Sequence, residues 1–229
     1  MIVQLIAHTP DPERLVAVAA RLCYSATGLE GIHARMSREQ VASLISMLRR
    51  SGHLSPLEHA VFSFYLEGWS RVTTHQLVRH RIASYSQQSQ RYVTADPEEF
   101  ATPPSIRSIP AALEEHERVL ATAGRSYRRL VELGVPPEDA RYCLPQAITS
   151  RLILTMNARE LLHFFQLRTC RRAQWEIRFL ALSMLRLVRK AAPAVFRPAG
   201  PECVELRRCR QGKLSCGRLK RGADYPGTD

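Results

Sequence analysis

Ala60-Val61-Phe62-Ser63-Phe64-Tyr65-Leu66-Glu67 reads as a β-strand with one buried face. Successive side chains of a strand point to opposite sides, so Ala60, Phe62, Phe64 and Leu66 share one face and Val61, Ser63, Tyr65 and Glu67 the other. On both sides of it the chain turns helical. Upstream, Ser37 and Gln40 make a capping box, Val41, Leu44, Ile45 and Leu48 repeat at helical spacing, and Gly52 suits a left-handed C-terminal cap. Earlier still, Ile2, Val3, Leu5 and Ile6 predict a short strand, and Leu15, Val18, Ala19 and Leu22 the buried stripe of a helix. Downstream, a helix is predicted from about Ser70 to Val78. A long one follows from Pro110 to Leu133, its face formed by Leu113, His116, Leu120, Ala123, Tyr127 and Leu130 and its end marked by Gly134 and Pro136. Another helix starts after the N-cap Asn157, with Glu160 three residues on; a further one carries Trp175, Phe179, Leu182 and Leu185, read as core. Strands among several helices without regular βαβ alternation predict an α+β fold.

Composition narrows the partners. The chain has 229 residues, 45% of them hydrophobic, enough for one sizeable core. Its net charge of +12 implies anionic partners, whether nucleic acid or small phosphorylated ligands. No apolar stretch is long enough to span a bilayer, so no membrane partner is expected. Met1–Thr9 lacks the basic lead-in, apolar region and cleavage site of a secretory signal, so a cytoplasmic protein is expected.

The placement of the arginines is more telling than their number. Arg79-His80-Arg81-Ile82-Ala83-Ser84-Tyr85-Ser86-Gln87-Gln88-Ser89-Gln90-Arg91-Tyr92 holds three arginines interleaved with serines and glutamines. Arginine forks match phosphate oxygens in pairs, and hydroxyl and amide groups add directional donors and acceptors. Gln76 and Arg79, three apart on the predicted preceding helix, face the same way. A solvated basic loop does not need Ser and Gln between its arginines. A site for an anionic, nucleotide-like ligand does.

The pattern R-H-R, seven residues, then S, carried here by Arg79, His80, Arg81 and Ser89, resembles the signature of the flavin-dependent thymidylate synthases. The resemblance extends from Met1 to about Phe196. Gly52-His53, Ser55-Pro56 and Glu58-His59 are similar to the family's early histidine motif. Asn157-Ala158-Arg159, His163 and Leu167-Arg168 resemble its nucleotide-binding helix, and Ala173-Gln174-Trp175-Glu176-Ile177-Arg178 the run after it. The resemblance implies an antiparallel-rich sheet flanked by helices, in a single catalytic domain over 1–198, with 199–229 as a basic, cysteine-containing tail read as loop. It implies FAD against Ser55, Arg79, His80, Arg81, Gln87, Asn157, Ala158, Arg159 and His163, with His53 near the flavin or folate. It implies dUMP held by Gln76, Arg79, Gln87, Gln88, Ser89, Gln90, Arg91 and Arg141. Arg168 would face the uracil ring and favour its ionisation, the catalytic role. NADPH and methylenetetrahydrofolate are the implied co-substrates, and a homotetramer with shared sites the implied assembly. Gln87 stands where the family commonly has a glutamate, His163 where an asparagine is common and Ser86 where an asparagine is frequent, so Gln87 brings no negative charge.

Of the six cysteines, Cys203, Cys209 and Cys216 crowd the tail. A structural zinc site normally takes four ligands, and three cysteines without a nearby histidine read as free thiols, so no metal is expected. The rival reading is a nucleic-acid binder with Tyr85 and Tyr92 stacking on bases. Against it, the arginines fall in separate segments rather than along one face. A non-catalytic flavin carrier is the third reading, and it would not need Gln76, Ser89, Arg91, Arg141 and Arg168.

Overall fold

Four strands carry the fold: β1 (Ile2–His8), β2 (Val61–Ser70), β3 (Ala83–Gln87) and β4 (Thr149–Asn157). They form an antiparallel sheet in the order β1-β2-β4-β3. A computed structural model describes residues 1–26, 28–33, 36–94 and 99–219. The alternation that opens the sequence reading holds: Ala60, Phe62, Phe64 and Leu66 are all fully buried. β4 obeys the same rule, with Ser150, Leu152, Leu154 and Met156 buried and Arg151 and Ile153 exposed.

The chain divides into two compact units, and each strand contributes residues to both. One unit comprises 4–64, 80–84 and 155–229. Its core is aromatic: Phe62 and Phe165 each meet Phe196 edge-on, and Phe165 packs on Phe164. The helices Ala158–Arg168 and Trp175–Ala191 pack against each other here. The helix Arg38–Ser51 begins with the predicted capping box and ends at Gly52, whose φ of 76° needs a residue without a Cβ. Leu15 and Leu22, predicted to face inward, are 37% and 57% exposed, while Val16, Ala17 and Ala20 are buried. Val18 of the predicted stripe is buried; the helix Pro12–Leu22 is amphipathic, and its packing against Ser55–His59 and Arg38–Ser51 covers Val16, Ala17, Val18 and Ala20 rather than Leu15 and Leu22. Phe179 is likewise 48% exposed, because Ile177, Leu180, Ala181, Met184, Leu185 and Val188 form the buried face of their helix.

The other unit comprises 1–3, 65–79 and 85–154. The long helix Pro110–Glu132 buries Leu120 and Tyr127 and ends before Gly134 at φ 86°. Trp69 Nε1 donates to the Ile2 carbonyl at 2.9 Å.

The tail is more ordered than its composition predicts. Glu202–Glu205 is a helical turn, Gly212–Leu214 a 3-10 turn, and Glu205 forms a nearly buried ion pair with Arg49.

Candidate functional site

The helix Arg71–Leu77 is capped by Ser70 and closes at Val78, so Arg79 lies beyond it. The expected helical juxtaposition of Gln76 and Arg79 is therefore absent. The chain turns at Val78 and Arg79 and bends at Ile82 before β3 begins at Ala83. Arg79 and Arg81 point outward, and His80 between them is 5% exposed.

Asn157 accepts a hydrogen bond from the Glu160 backbone N–H at 2.9 Å, which starts the helix Ala158–Arg168 and sets Glu160 in its first turn. Glu160 and Arg168 then lie a little over two turns apart on one helix, with His80 between them. His80 Nδ1 stands 3.0 Å from Glu160 Oε1, and Arg168 Nε donates to His80 Nε2 at 3.1 Å. A guanidinium can only donate, so Nε2 offers its lone pair and the ring proton sits on Nδ1, donating to Glu160. The ring edge meets Phe164 at 5.0 Å and His163 at 5.9 Å between centroids. Ligand atoms of His80, Glu160 and His163 lie within 4.8 Å of one another, close enough to suggest a cation. Both ring nitrogens of His80 are already committed, and an ion there would sit beside the Arg168 guanidinium.

Beside this cluster opens a cavity of about 670 Å³ whose walls include Asn157, Arg159, His163, Leu54, Ile82 and Glu205. Three residues expected at the flavin, Asn157, Arg159 and His163, thus share one cavity. Arg159 pairs with Glu58 at 2.5 Å. Ala158 is buried and donates its backbone N–H to the Ala60 carbonyl. Ser55 and His53 are exposed and Gly52, Leu54 and Glu58, rather than they, line the cavity. The lining mixes apolar Leu54, Ile82, Leu162 and Leu206 with two arginines, each paired with a glutamate of the same wall, Arg49 with Glu205 and Arg159 with Glu58.

The second cluster belongs to the other unit. β3 gives way to Gln88, whose backbone N–H donates to the Arg151 carbonyl at 2.9 Å. Gln88, Ser89 and Gln90 line a pocket of about 190 Å³. Gln90 also lines an open cleft of about 610 Å³ with Arg71, His75, Tyr142 and Arg141. Among the described residues, no carboxylate lines that cleft. Arg141 Nε donates to the Glu138 carbonyl, and Arg91 pairs with the Glu138 carboxylate at 2.6 Å. Ser89 Oγ accepts from the Arg91 N–H. Gln76, half-buried, bonds back to the Val72 carbonyl and does not line the cleft.

Arg71 is a residue that sequence reasoning passed over. Its Nε is buried without a partner, and burial first, then the neighbouring Arg141 charge, push its guanidinium below its ordinary range. Gln87 Nε2 is also buried and unpartnered. Unpaired buried donors are costly, and an anion would relieve both the desolvation and the like-charge contact. Glu160 was also passed over as a site residue because its position reads equally well as helix capping.

The fold is α+β, with a cleft lined by Arg71 and Arg141 and free of carboxylates among the described residues, and a second cavity of mixed polar and apolar lining. Residues 4–194 match the family described as thymidylate synthase complementing protein. A flavin-dependent thymidylate synthase of Geobacter sulfurreducens is 50% identical over 220 residues, covering 95% of this chain and 94% of the relative. One from Clostridium tetani is 47% identical, covering 94% and 93%. The crystal structure of the UMP/dUMP methylase PolB from Streptomyces cacaoi, bound with 5-Br dUMP, superposes with a TM-score of 0.77 at 27% identity, covering 85% of this chain and 92% of that one. The chain belongs to the thymidylate synthase complementing protein family, whose matched relatives are flavin-dependent thymidylate synthases.

Proposed function

We propose that the protein methylates dUMP reductively to dTMP, with methylenetetrahydrofolate as carbon donor and NADPH as the source of electrons. The observation that carries this reading is the pair Arg71 and Arg141 in a cleft that no carboxylate lines among the described residues, a setting that suits a nucleotide phosphate. When bound, FAD supplies the hydride chemistry.

The chain's own residues bind, orient and polarise. Arg71, Arg141 and Arg91 neutralise the dUMP phosphate, and Gln87, Gln88, Ser89 and Gln90 supply amide and hydroxyl partners to the nucleotide. Asn157, Arg159 and His163 hold the flavin nucleotide, with Ser55, Arg79, Arg81 and His53 exposed and available to it. Arg168 faces the uracil and stabilises negative charge as it develops on the ring, raising the nucleophilicity of C5. A fixed cation out of bulk water is effective because it needs no reorganisation. Glu138 competes with the phosphate for Arg91, so dUMP binding exchanges one partner for another. A cytoplasmic homotetramer with shared sites, built from a catalytic domain over 1–198, fits this reading.

The test is dTMP formation from dUMP, methylenetetrahydrofolate, FAD and NADPH, followed by chromatography with single omissions. Product that disappears with each omission supports the reading. A folded, yellow protein that forms none points to a flavin carrier instead.

A further inference from the structure

We propose that Glu160 is a positioning residue that acts through His80 on Arg168. This rests on the reading that Arg168 faces the uracil. Arg168 has a long side chain, and its Nε can point anywhere its rotamers allow. The Nε2 lone pair of His80 fixes it at 3.1 Å. That lone pair is directed only because the ring proton is held on Nδ1, and Glu160 holds it there at 3.0 Å. The chain Glu160–His80–Arg168 lies in a buried setting, with Glu160 7% and His80 5% exposed, so water does not compete for the bonds. Without the carboxylate, His80 can take the other tautomer, present an N–H to Arg168 Nε–H and turn the guanidinium away.

The experiment compares Glu160→Gln, which keeps an acceptor for Nδ1–H, with Glu160→Leu, which does not. Three readouts are used: dUMP turnover, FAD content by absorbance, and the His80 tautomer from ¹⁵N-histidine spectra assigned with His80→Gln. Glu160→Leu is expected to lower kcat about tenfold to a hundredfold, the usual cost of a misplaced group, while retaining FAD. Its His80 spectrum should lose the Nδ1-protonated signature, and Glu160→Gln should restore most of kcat. The proposal falls if wild-type His80 carries its proton on Nε2, or if Glu160→Leu turns over like wild type while Arg168→Ala does not. Absence of dTMP from the wild type would instead strike the functional reading, and the tautomer measurement would still decide the relay.

A different observation carries a second proposal. Cys203 lies on the turn Glu202–Glu205, which packs against the helix Ala158–Arg168, and Cys170 follows the end of that helix. Cys170, Cys209 and Cys216 all come near enough to the Cys203 thiol to act on it electrostatically. The four are half-buried and unbridged. The segment around them has no core of its own: Leu206, Leu214 and Leu219 are exposed, and Arg207, Gly212 and Gly217 all take positive φ. A short irregular segment of this kind usually needs a disulfide or a metal to hold it. The count of three that argued against zinc in the sequence becomes four in the fold.

We infer that Cys170, Cys203, Cys209 and Cys216 are the ligands of a zinc ion that holds the tail. Among the described residues no three of these sulfurs stand within 4.8 Å of one another, so the side chains must turn inward to close on the ion. Each thiol that binds releases its proton to solvent. Full-length protein prepared without chelator is assayed for metal by plasma mass spectrometry. About one zinc per chain is expected, nearly lost in Cys203→Ser and Cys216→Ser and unchanged in Cys23→Ser. The proposal is overturned if no zinc is present and none is retained after incubation with zinc and gel filtration. Equal zinc in Cys203→Ser, or an intact mass showing disulfides among these cysteines, overturns it as well.

Discussion

The surroundings of His80 and those of Arg71 are opposite solutions to burying polar groups. At His80 the donors and acceptors answer one another: a carboxylate takes the Nδ1 proton and a guanidinium gives to Nε2. At Arg71 they do not. A half-buried guanidinium gives one hydrogen bond to the Gln88 carbonyl, leaves its Nε unpartnered and faces a second arginine, and among the described residues no acid lines the cleft. The first arrangement is complete without a ligand and serves to hold a direction. The second carries an electrostatic cost that only an anion removes, and so serves to bind. Preorganisation for chemistry and affinity for phosphate are thus built by satisfying one cluster and leaving the other unsatisfied.

The comparison breaks most visibly at Arg168. Arg168→Ala should lower kcat about 10²- to 10³-fold, the cost of losing one stabilising donor at a developing charge, with FAD still bound. A variant within a factor of two of wild type, measured by dTMP yield under saturating substrates, removes Arg168 from the chemistry. Next in size, Arg141→Ala should weaken dUMP binding about 10- to 150-fold, since hydrogen bonds to charged groups contribute about 1.5–3 kcal/mol. Equilibrium dialysis of dUMP at low and high salt checks this, and the gap between variant and wild type should narrow with salt. Ser37→Ala calibrates both clusters from outside. Losing that capping box should cost about 1 kcal/mol, a fall in Tm of about 2–4 °C, with dUMP and FAD binding unchanged. The smallest effect carries the opposite sign: Arg71→Met should raise Tm by about 2 °C while weakening dUMP binding. Removing a cation whose Nε is unpartnered and which faces Arg141 relieves the folded chain, but water screens most of the penalty and the bond to the Gln88 carbonyl is lost. A fall in Tm would mean Arg71 is a structural cation rather than a binding one.

Much of this was legible along the chain. The β2 alternation, the caps at Ser37, Gly52 and Asn157, and the end of the long helix at Gly134 are local signals with local causes, and each is found where its residues predict. The strands β3 and β4 were missed for different reasons. Residues 83–87 are Ala, Ser, Tyr, Ser and Gln, with little apolar contrast between faces. Residues 149–157 do alternate, with Leu152, Leu154 and Met156 inward, and that pattern was available to read.

The order of residues determined the strand and helix signals, the separate arginine clusters and the family pattern of Arg79, His80, Arg81 and Ser89, because those depend on neighbours in sequence. Tertiary structure alone decided that Leu15 and Leu22 stay exposed, that Glu160 serves His80 as well as its helix, that Arg71 stands beside Arg141, and that Cys170 comes near Cys203 of the tail. Each of these is a contact between segments distant along the chain, and a hydrogen bond or a charge interaction depends on separation in space, which the sequence does not record.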